Sequence, residues 1–539
     1  MKTNFLSLLS VATLACAYTW PSPLVDELED IIYLQSGYLR RGFRDGILGC
    51  TFVPAGSQFR QASSEWLRTG FHDMITHDKD AGTGGIDASL MYELDRPENQ
   101  GVVGLNDTFG FFFSFHNTRA SMADLVAIGV YASVRECGGP VVPIKGGRID
   151  ASEAGPKGVP EPSTDLETTT ERFAKAGFTT EDMIAMVACG HTLGGVHGNN
   201  HPEVTGNNSA ADFPKFDSTT FEFDNNVVAE YLEGNTTNPL VVGPDATNSD
   251  KRVFNADKNV TMLALADPAT FRTTCSSIFE RMINTVPSSV TLTDIITPID
   301  IKPAGLKVYL QNNTALHLEG AIRVRTTERT PPQSVSLPYL DQDGKSCETC
   351  TISTRPATFQ GGSASGYDDS FKFYELSTDL PLNSSISSFT VEFSGETHDN
   401  NGSGGFPINT RLLHQPKQSC LVQKTDSNGN WNLTAVAAVR DDRASLPTHF
   451  EIAVKKFTPG IVGSRLDVQK VEMSQWKKAG ESGFTLFSGS FAIPPESWST
   501  SYDVVNGEGD DKVEVALIKT GSLPSECADW ADLIDNAAD

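Results

Sequence analysis

Hydrophobic and polar residues alternate in two different rhythms along the 539-residue chain. From about residue 24 to 285 apolar residues recur at spacings of three and four, between breaks of Gly and Pro, which predicts a helical region. After about residue 300 the period shortens to two. LKVYLQ, GAIRVRT, SFKFYEL, SFTVEF, FEIAVKKF and DKVEVALI are separated by clusters of Gly, Pro, Asn and Ser. That pattern predicts antiparallel strands packed as one or two sandwiches. The change of rhythm falls between Thr297 and Pro303, and the length is too great for one core. The expected division is 1–17 leader, 18–297 helical domain, 298–418 and 419–539 strand-rich domains. Two pairs of similar segments, VRTTERTPP with VRDDRASLP and FKFYELSTDLP with FTLFSGSFAIP, suggest that the strand-rich half repeats itself.

Composition narrows the setting. A formal net charge of -26 argues against nucleic acid or an anionic membrane as a partner. The opening MKTNFLSLLSVATLACA has a lysine, a short apolar run and small residues at Ala15 and Ala17, the pattern of a signal peptide cleaved before Tyr18. No later run has the length of a membrane span. Without Cys16 an even set of cysteines remains, Cys50, Cys137, Cys189, Cys275, Cys347, Cys350, Cys420 and Cys527, so disulfides are expected with connectivity open. SCETC lacks the second pair of a zinc knuckle. Glycosylation acceptors stand at Asn106, Asn207, Asn235, Asn259, Asn312, Asn383, Asn401 and Asn432. Together these predict a secreted, extracellular, monomeric glycoprotein.

The chemistry concentrates in EWLRTGFHDMITHDKDAGTGGIDAS. Arg68 and His72 lie one helical turn apart on one face, pairing a permanent cation with a base that titrates near neutrality. Such a pair suits peroxide cleavage: the histidine moves a proton between the two oxygens and the arginine stabilises the leaving one. Asp73, Gly85, Asp87 and Ser89 follow, oxygen donors of the kind calcium collects, with glycine freeing the backbone. Further on, FTTEDMIAMVACGHTLGG predicts a helix begun at Thr179 or Thr180 and running to His191 before Gly194 and Gly195.

These segments resemble the haem peroxidases of the plant, fungal and bacterial superfamily, over roughly residues 24–290. The family's distal motif is matched by Arg68, Phe71, His72 and Asp73, and its GGxDxS loop by Gly85, Asp87 and Ser89. The resemblance implies an all-α peroxidase fold for 18–297 with one haem b and two calcium ions. Arg68, His72 and Asn99 are then catalytic, Asn99 setting the tautomer of His72. His191 becomes the proximal iron ligand, Phe71 lines the haem, and Asp73, Gly85, Asp87 and Ser89 form the first calcium site. Thr192, Asp217, Thr219 and Asp224 by side chain, and Glu222 by its carbonyl, form the second. The carboxylate partner of His191 is best matched by Asp257, with Asp250 as fallback. Ser121, Asp124, Gly147, Arg148 and Asp150 match family scaffold.

Departures from the family narrow the expected activity. Where manganese-oxidising members carry three carboxylates this chain has Arg60, Ser64 and His197, and where lignin-oxidising members carry a radical-forming tryptophan it has Met186. Trp66 beside the distal site reads as packing. The expectation is a secreted peroxidase, active in the response to oxidative stress, that reduces hydrogen peroxide and oxidises small phenolic reductants at the haem edge. The alternative is a non-catalytic wall glycoprotein whose sandwiches bind polysaccharide and whose helical domain is a relic.

Overall fold

The computed structural model describes residues 20–55, 58–423 and 425–530; the expected leader and its cleavage point lie outside them. The helical half is organised around the helix Met122–Glu136, buried along nearly its whole length. Ser121 caps its start by accepting the N–H of Asp124 at 3.0 Å. Against it lies the helix Ala62–Met74. Gly70 is the point of contact, because a Cβ there would meet Val130 Cγ2 at 2.4 Å. Asp124 is a buried anchor: it accepts the N–H groups of Gly147 and Arg148 and pairs with the Arg148 guanidinium at 2.9 Å. Arg148 in turn donates to the carbonyl of Ile283, tying in the long helix Pro268–Ile283.

Two disulfides close this half, Cys50–Cys137 and Cys189–Cys275. The second joins the helix Thr180–Gly190 to Pro268–Ile283. Cys347–Cys350 and Cys420–Cys527 complete the pairing of all eight expected cysteines.

The strand-rich half begins with Ile301–Leu310, inside the expected boundary region. A first pair of antiparallel sheets packs Leu316, Leu318 and Ile322 of one against Leu337, Phe389 and Val391 of the other. A second pair is built on Trp431–Arg440 and Thr448–Lys456, with Leu433, Ala437, Phe450 and Ile452 between them. Leu412–His414 pairs with Trp431–Arg440, so the second unit takes up a strand ahead of residue 419. From the helical half, Ser36–Gly37 pairs with Ser363–Ser365 and extends the first sheet.

The suspected repeat has a structural counterpart. Ala315–Arg325 pairs with Ser370–Pro381, and Trp431–Arg440 pairs with Phe484–Ile493. The registers correspond, Arg325 opposite Phe371 and Arg440 opposite Phe484. Among the described residues no helix is long and apolar enough to cross a membrane.

Candidate active site

Arg68 and His72 project from the helix Ala62–Met74 into a cavity of about 750 Å³. His191 lines the same cavity. The volume lies in the range of cofactor pockets.

On one side, His72 Nδ1 donates to Asn99 Oδ1 at 2.8 Å, while Asn99 Nδ2 donates to the Glu93 carbonyl at 2.9 Å. The second bond orients the amide so that its oxygen faces the ring, and Nε2 of His72 is left as the free, basic nitrogen. Burial, and then the Arg68 guanidinium, push the imidazole well below its ordinary pKa, so it stands neutral near pH 7. Burial also lowers Arg68 to about 10, which still leaves it a cation. Its Nη2 donates to the Gln100 carbonyl at 2.7 Å.

On the other side, the helix Thr180–Gly190 starts with a capping box between Thr179 and Asp182 and ends on His191. His191 Nδ1 donates to Asp250 Oδ2 at 2.8 Å. Asp250, not Asp257, is therefore the carboxylate partner. Asp257 Oδ2 is taken by the backbone N–H and hydroxyl of Thr261 at 2.8 and 2.6 Å. Asp250 sits at the start of the helix Ser249–Phe254 and also accepts from Asn238 Nδ2 at 2.8 Å. Phe216 stacks on His191 with ring centroids 4.2 Å apart. The turn after His191 makes that contact possible, because Gly195 approaches the Pro214 carbonyl too closely for any Cβ. Neither Asn238 nor Phe216 carries a sequence signal, since both come from a loop far along the chain. Phe71 lines the cavity and packs toward Phe173 at 5.9 Å.

The residues present fit a haem held between these histidines. Both have Nδ1 engaged, which leaves each Nε2 for the cavity, and Asp250 makes His191 the more electron-rich ligand.

The two expected calcium loops are each tied together by hydrogen bonds, and among the described residues no group of three or more His, Cys, Asp or Glu side chains is placed to hold a metal ion. Asp73 accepts the N–H groups of Asp87, Ala88 and Leu90 at 2.8–3.1 Å, which draws Asp87 and Ser89 to it. Burial and the neighbouring Asp87 hold Asp73 well above the usual carboxylate range, and Ser89 Oγ is buried without a partner. Gly85 has φ of 105°, and its neighbour is the Thr285 carbonyl, so a side chain is excluded there. In the second cluster Thr192 donates to the Asp224 carbonyl at 2.7 Å and Thr219 to Asp224 Oδ1 at 2.9 Å. Asp217 Oδ2 is buried with no partner, and burial together with Asp224 pushes Asp217 up to about 7. A buried oxygen without a donor suits a cation. The Glu222 N–H donates to the Thr219 carbonyl at 3.0 Å, and its side chain is exposed.

Arg60 makes a bidentate pair with Glu65 at 2.6 Å and a second ion pair with Asp107. His197 donates to the Phe59 carbonyl at 2.8 Å and stacks on Phe213, Ser64 donates to the Gln61 carbonyl, and Met186 is buried. Trp66 is buried among Phe43, Phe111 and Phe112.

Comparison with known proteins agrees with this arrangement. The Peroxidase family pattern matches residues 54–267. A WSC domain-containing protein of Arthroderma benhamiae is 38% identical over 523 residues, 95% of this chain and 68% of that protein. The peroxisomal L-ascorbate peroxidase 5 of Arabidopsis thaliana is 29% identical over 201 residues, 36% of this chain and 67% of the relative. A versatile peroxidase of Pleurotus eryngii is 30% identical over 200 residues, 35% of this chain and 51% of the relative, about half its length. The strand-rich half is a region separate from the peroxidase match. The chain belongs to one family with the Arthroderma protein along nearly its whole length and, through residues 54–267, to the plant, fungal and bacterial peroxidase superfamily.

Proposed function

We propose that the protein is a secreted haem peroxidase that reduces hydrogen peroxide and oxidises small phenolic reductants. The observation that carries this reading is the pair of oriented histidines on one cavity, His72 on Asn99 and His191 on Asp250. Haem b, if held between the two histidines, would supply the redox chemistry that cleaves peroxide and oxidises the reductant. His191, oriented by Asp250, would hold that group through its free Nε2. His72 Nε2 takes a proton from the near oxygen of peroxide and returns it to the far one, while Arg68 stabilises the charge on the departing oxygen. Asn99 keeps the proton on Nδ1 so that Nε2 is free to do this.

The same reading assigns two calcium ions. One is held by Asp73, Gly85, Asp87 and Ser89, the other by Thr192, Asp217, Thr219, Glu222 and Asp224. Manganese oxidation is not assigned, because Arg60 and His197 offer no carboxylates and Arg60 is already paired. Met186 offers no radical site of the tryptophan type. Four disulfides support export to an oxidising compartment, where the protein acts as a monomer.

The test is His72→Leu in haemin-loaded protein. Peroxide consumption is expected to fall by about 10²–10⁴-fold, the contribution of a positioned general base, with the haem absorbance retained. Near wild-type consumption would reject the assignment.

A second reading concerns the strand-rich half and is favoured by one feature. Trp498 is 44% exposed and stacks over Trp431 at 5.3 Å, a surface on which a sugar ring packs. Retention of the protein on insoluble polysaccharide is expected to drop on Trp498→Ala; equal retention by the variant removes this role for the pair.

A further inference from the structure

We propose that His201, held by Glu203 at the edge of the cavity, is the base that accepts the proton of a phenolic reductant. The inference rests on the peroxidase reading and deepens it. A phenol that surrenders one electron also loses its O–H proton, and a site that oxidises phenols repeatedly needs an acceptor for that proton. His72 has a different task, since its free nitrogen serves the peroxide.

The cavity is also lined by the carboxylates Glu65, Asp95, Glu98, Glu161 and Asp250, but a carboxylate is ordinarily a weaker base than an imidazole, and the other histidines are engaged. His191 has one nitrogen on Asp250 and the other assigned to the iron. His197 donates to the Phe59 carbonyl and stacks on Phe213. Arg96 and Arg252 are cations bound to carbonyl oxygens. His201 remains. Its Nδ1 lies 2.9 Å from Glu203 Oε1, which fixes the ring, and its Nε2 makes no hydrogen bond among the described residues. The turn that carries it is closed by the bond from His201 N–H to the His197 carbonyl at 3.0 Å.

The position is also right for a small substrate. Gly101 has φ of 78°, and a Cβ built on it would stand 3.1 Å from Asn200 Nδ2 and 3.5 Å from Arg68 Nη1. Gly101 thus has no side chain to press on Asn200 or Arg68, and Gly101, Arg68, Asn200 and His201 all line the cavity. In this proposal a phenol binds in the cavity beside His201. Its O–H bond breaks, the proton goes to His201 Nε2, the electron goes to the oxidising equivalents derived from peroxide, and a phenoxyl radical leaves. Solvent then removes the proton from the half-exposed ring.

The test compares two reductants in haemin-loaded protein: guaiacol, which loses a proton with its electron, and ferrocyanide, which does not. His201→Phe is expected to lower the ratio of guaiacol to ferrocyanide turnover about a hundredfold, the lower end of what a positioned base contributes. Glu203→Gln, at a surface position, is expected to lower the same ratio by less. Independently of turnover, adding guaiacol to the resting protein is expected to shift the ¹⁵N resonance of the His201 ring. An unchanged ratio in both variants, or a His201 resonance that ignores guaiacol, overturns the proposal. Loss of peroxide reduction by His72→Leu is measured separately, so failure of the peroxidase reading is distinguishable from failure of this one.

Discussion

At the scale of residues, Asp250 and Asp257 differ by seven positions in the chain and by their whole chemistry. Asp257 serves its own neighbourhood by holding Thr261, whereas Asp250 crosses to the proximal histidine and is steadied there by Asn238. Asp250→Asn removes the anionic acceptor, so under the proposed reading His191 would donate less electron density to a haem iron. The midpoint potential of the haemin-loaded protein is expected to rise, as read by spectroelectrochemical titration, while Asp257→Asn leaves it in place. Equal shifts in the two variants would contradict the assignment. Arg68, His72 and Asn99 were legible because a helical repeat and a short local motif carry them. The proximal carboxylate was not, because helix starts and loop lengths between residues 192 and 257 decide which aspartate arrives.

At the scale of elements, the two oxygen-rich loops hold the ends of the elements that carry the histidines. Asp73 immediately follows His72, and Thr192 immediately follows His191. Order in each loop therefore bears directly on each imidazole. The buried Ser89 Oγ and Asp217 Oδ2 lack partners among the described residues, and under the proposed reading a bound cation would supply them. Removing calcium with EDTA is expected to lower the melting temperature by about 5–10 °C, the effect of losing a ligand present near 100 times its Kd. Added calcium restores it, and Asp217→Ala removes much of that response. A melting temperature indifferent to EDTA would count against both sites. Asp217, Thr219 and Asp224 were readable as a spaced donor set; their convergence on Thr192 depends on the glycine turn at Gly194 and Gly195, which brings a distant segment back to the helix end.

At the scale of the whole molecule, the two halves are joined through buried charge. Glu29 of the helix Pro23–Tyr33 accepts from Arg323 and from Lys302, both on strands of the first sheet. Arg323 also reaches Asp30, and Lys302 reaches Asp26. Burial alone would raise Glu29, but Arg323 and Lys302 hold it at about 2, against 4.5 ordinarily. Its contribution is complete above about 4.5 and is lost as the pH falls toward 2. Asp26, raised by burial to about 6, acts in the opposite sense: what it contributes at low pH is lost as the pH rises through 6. Glu29→Gln leaves Arg323 with Asp30 alone and Lys302 with Asp26 and Asp30, and is expected to destabilise the protein by about 3 kcal/mol near pH 6, the lower end for breaking a buried pair, measured by denaturant unfolding. The gap to wild type should close between about pH 4.5 and 2; a gap that persists at low pH would show that the carboxylate charge is not its source.

The sequence by itself determined the periods that make one half helical and the other sheet, the distal motif, and the even cysteine set, because each depends on neighbours within a few residues or on simple counts. It also carried the strand repeat, since matched hairpins demand matched alternation. Only the tertiary structure decided that Asp250 meets His191, that Phe216 stacks on it, that His201 stands at the cavity edge, and which cysteines pair. Those contacts join residues tens to hundreds of positions apart, and no local preference specifies them; they follow from how the helices pack around Met122–Glu136 and how the first sheet is clamped to Pro23–Tyr33.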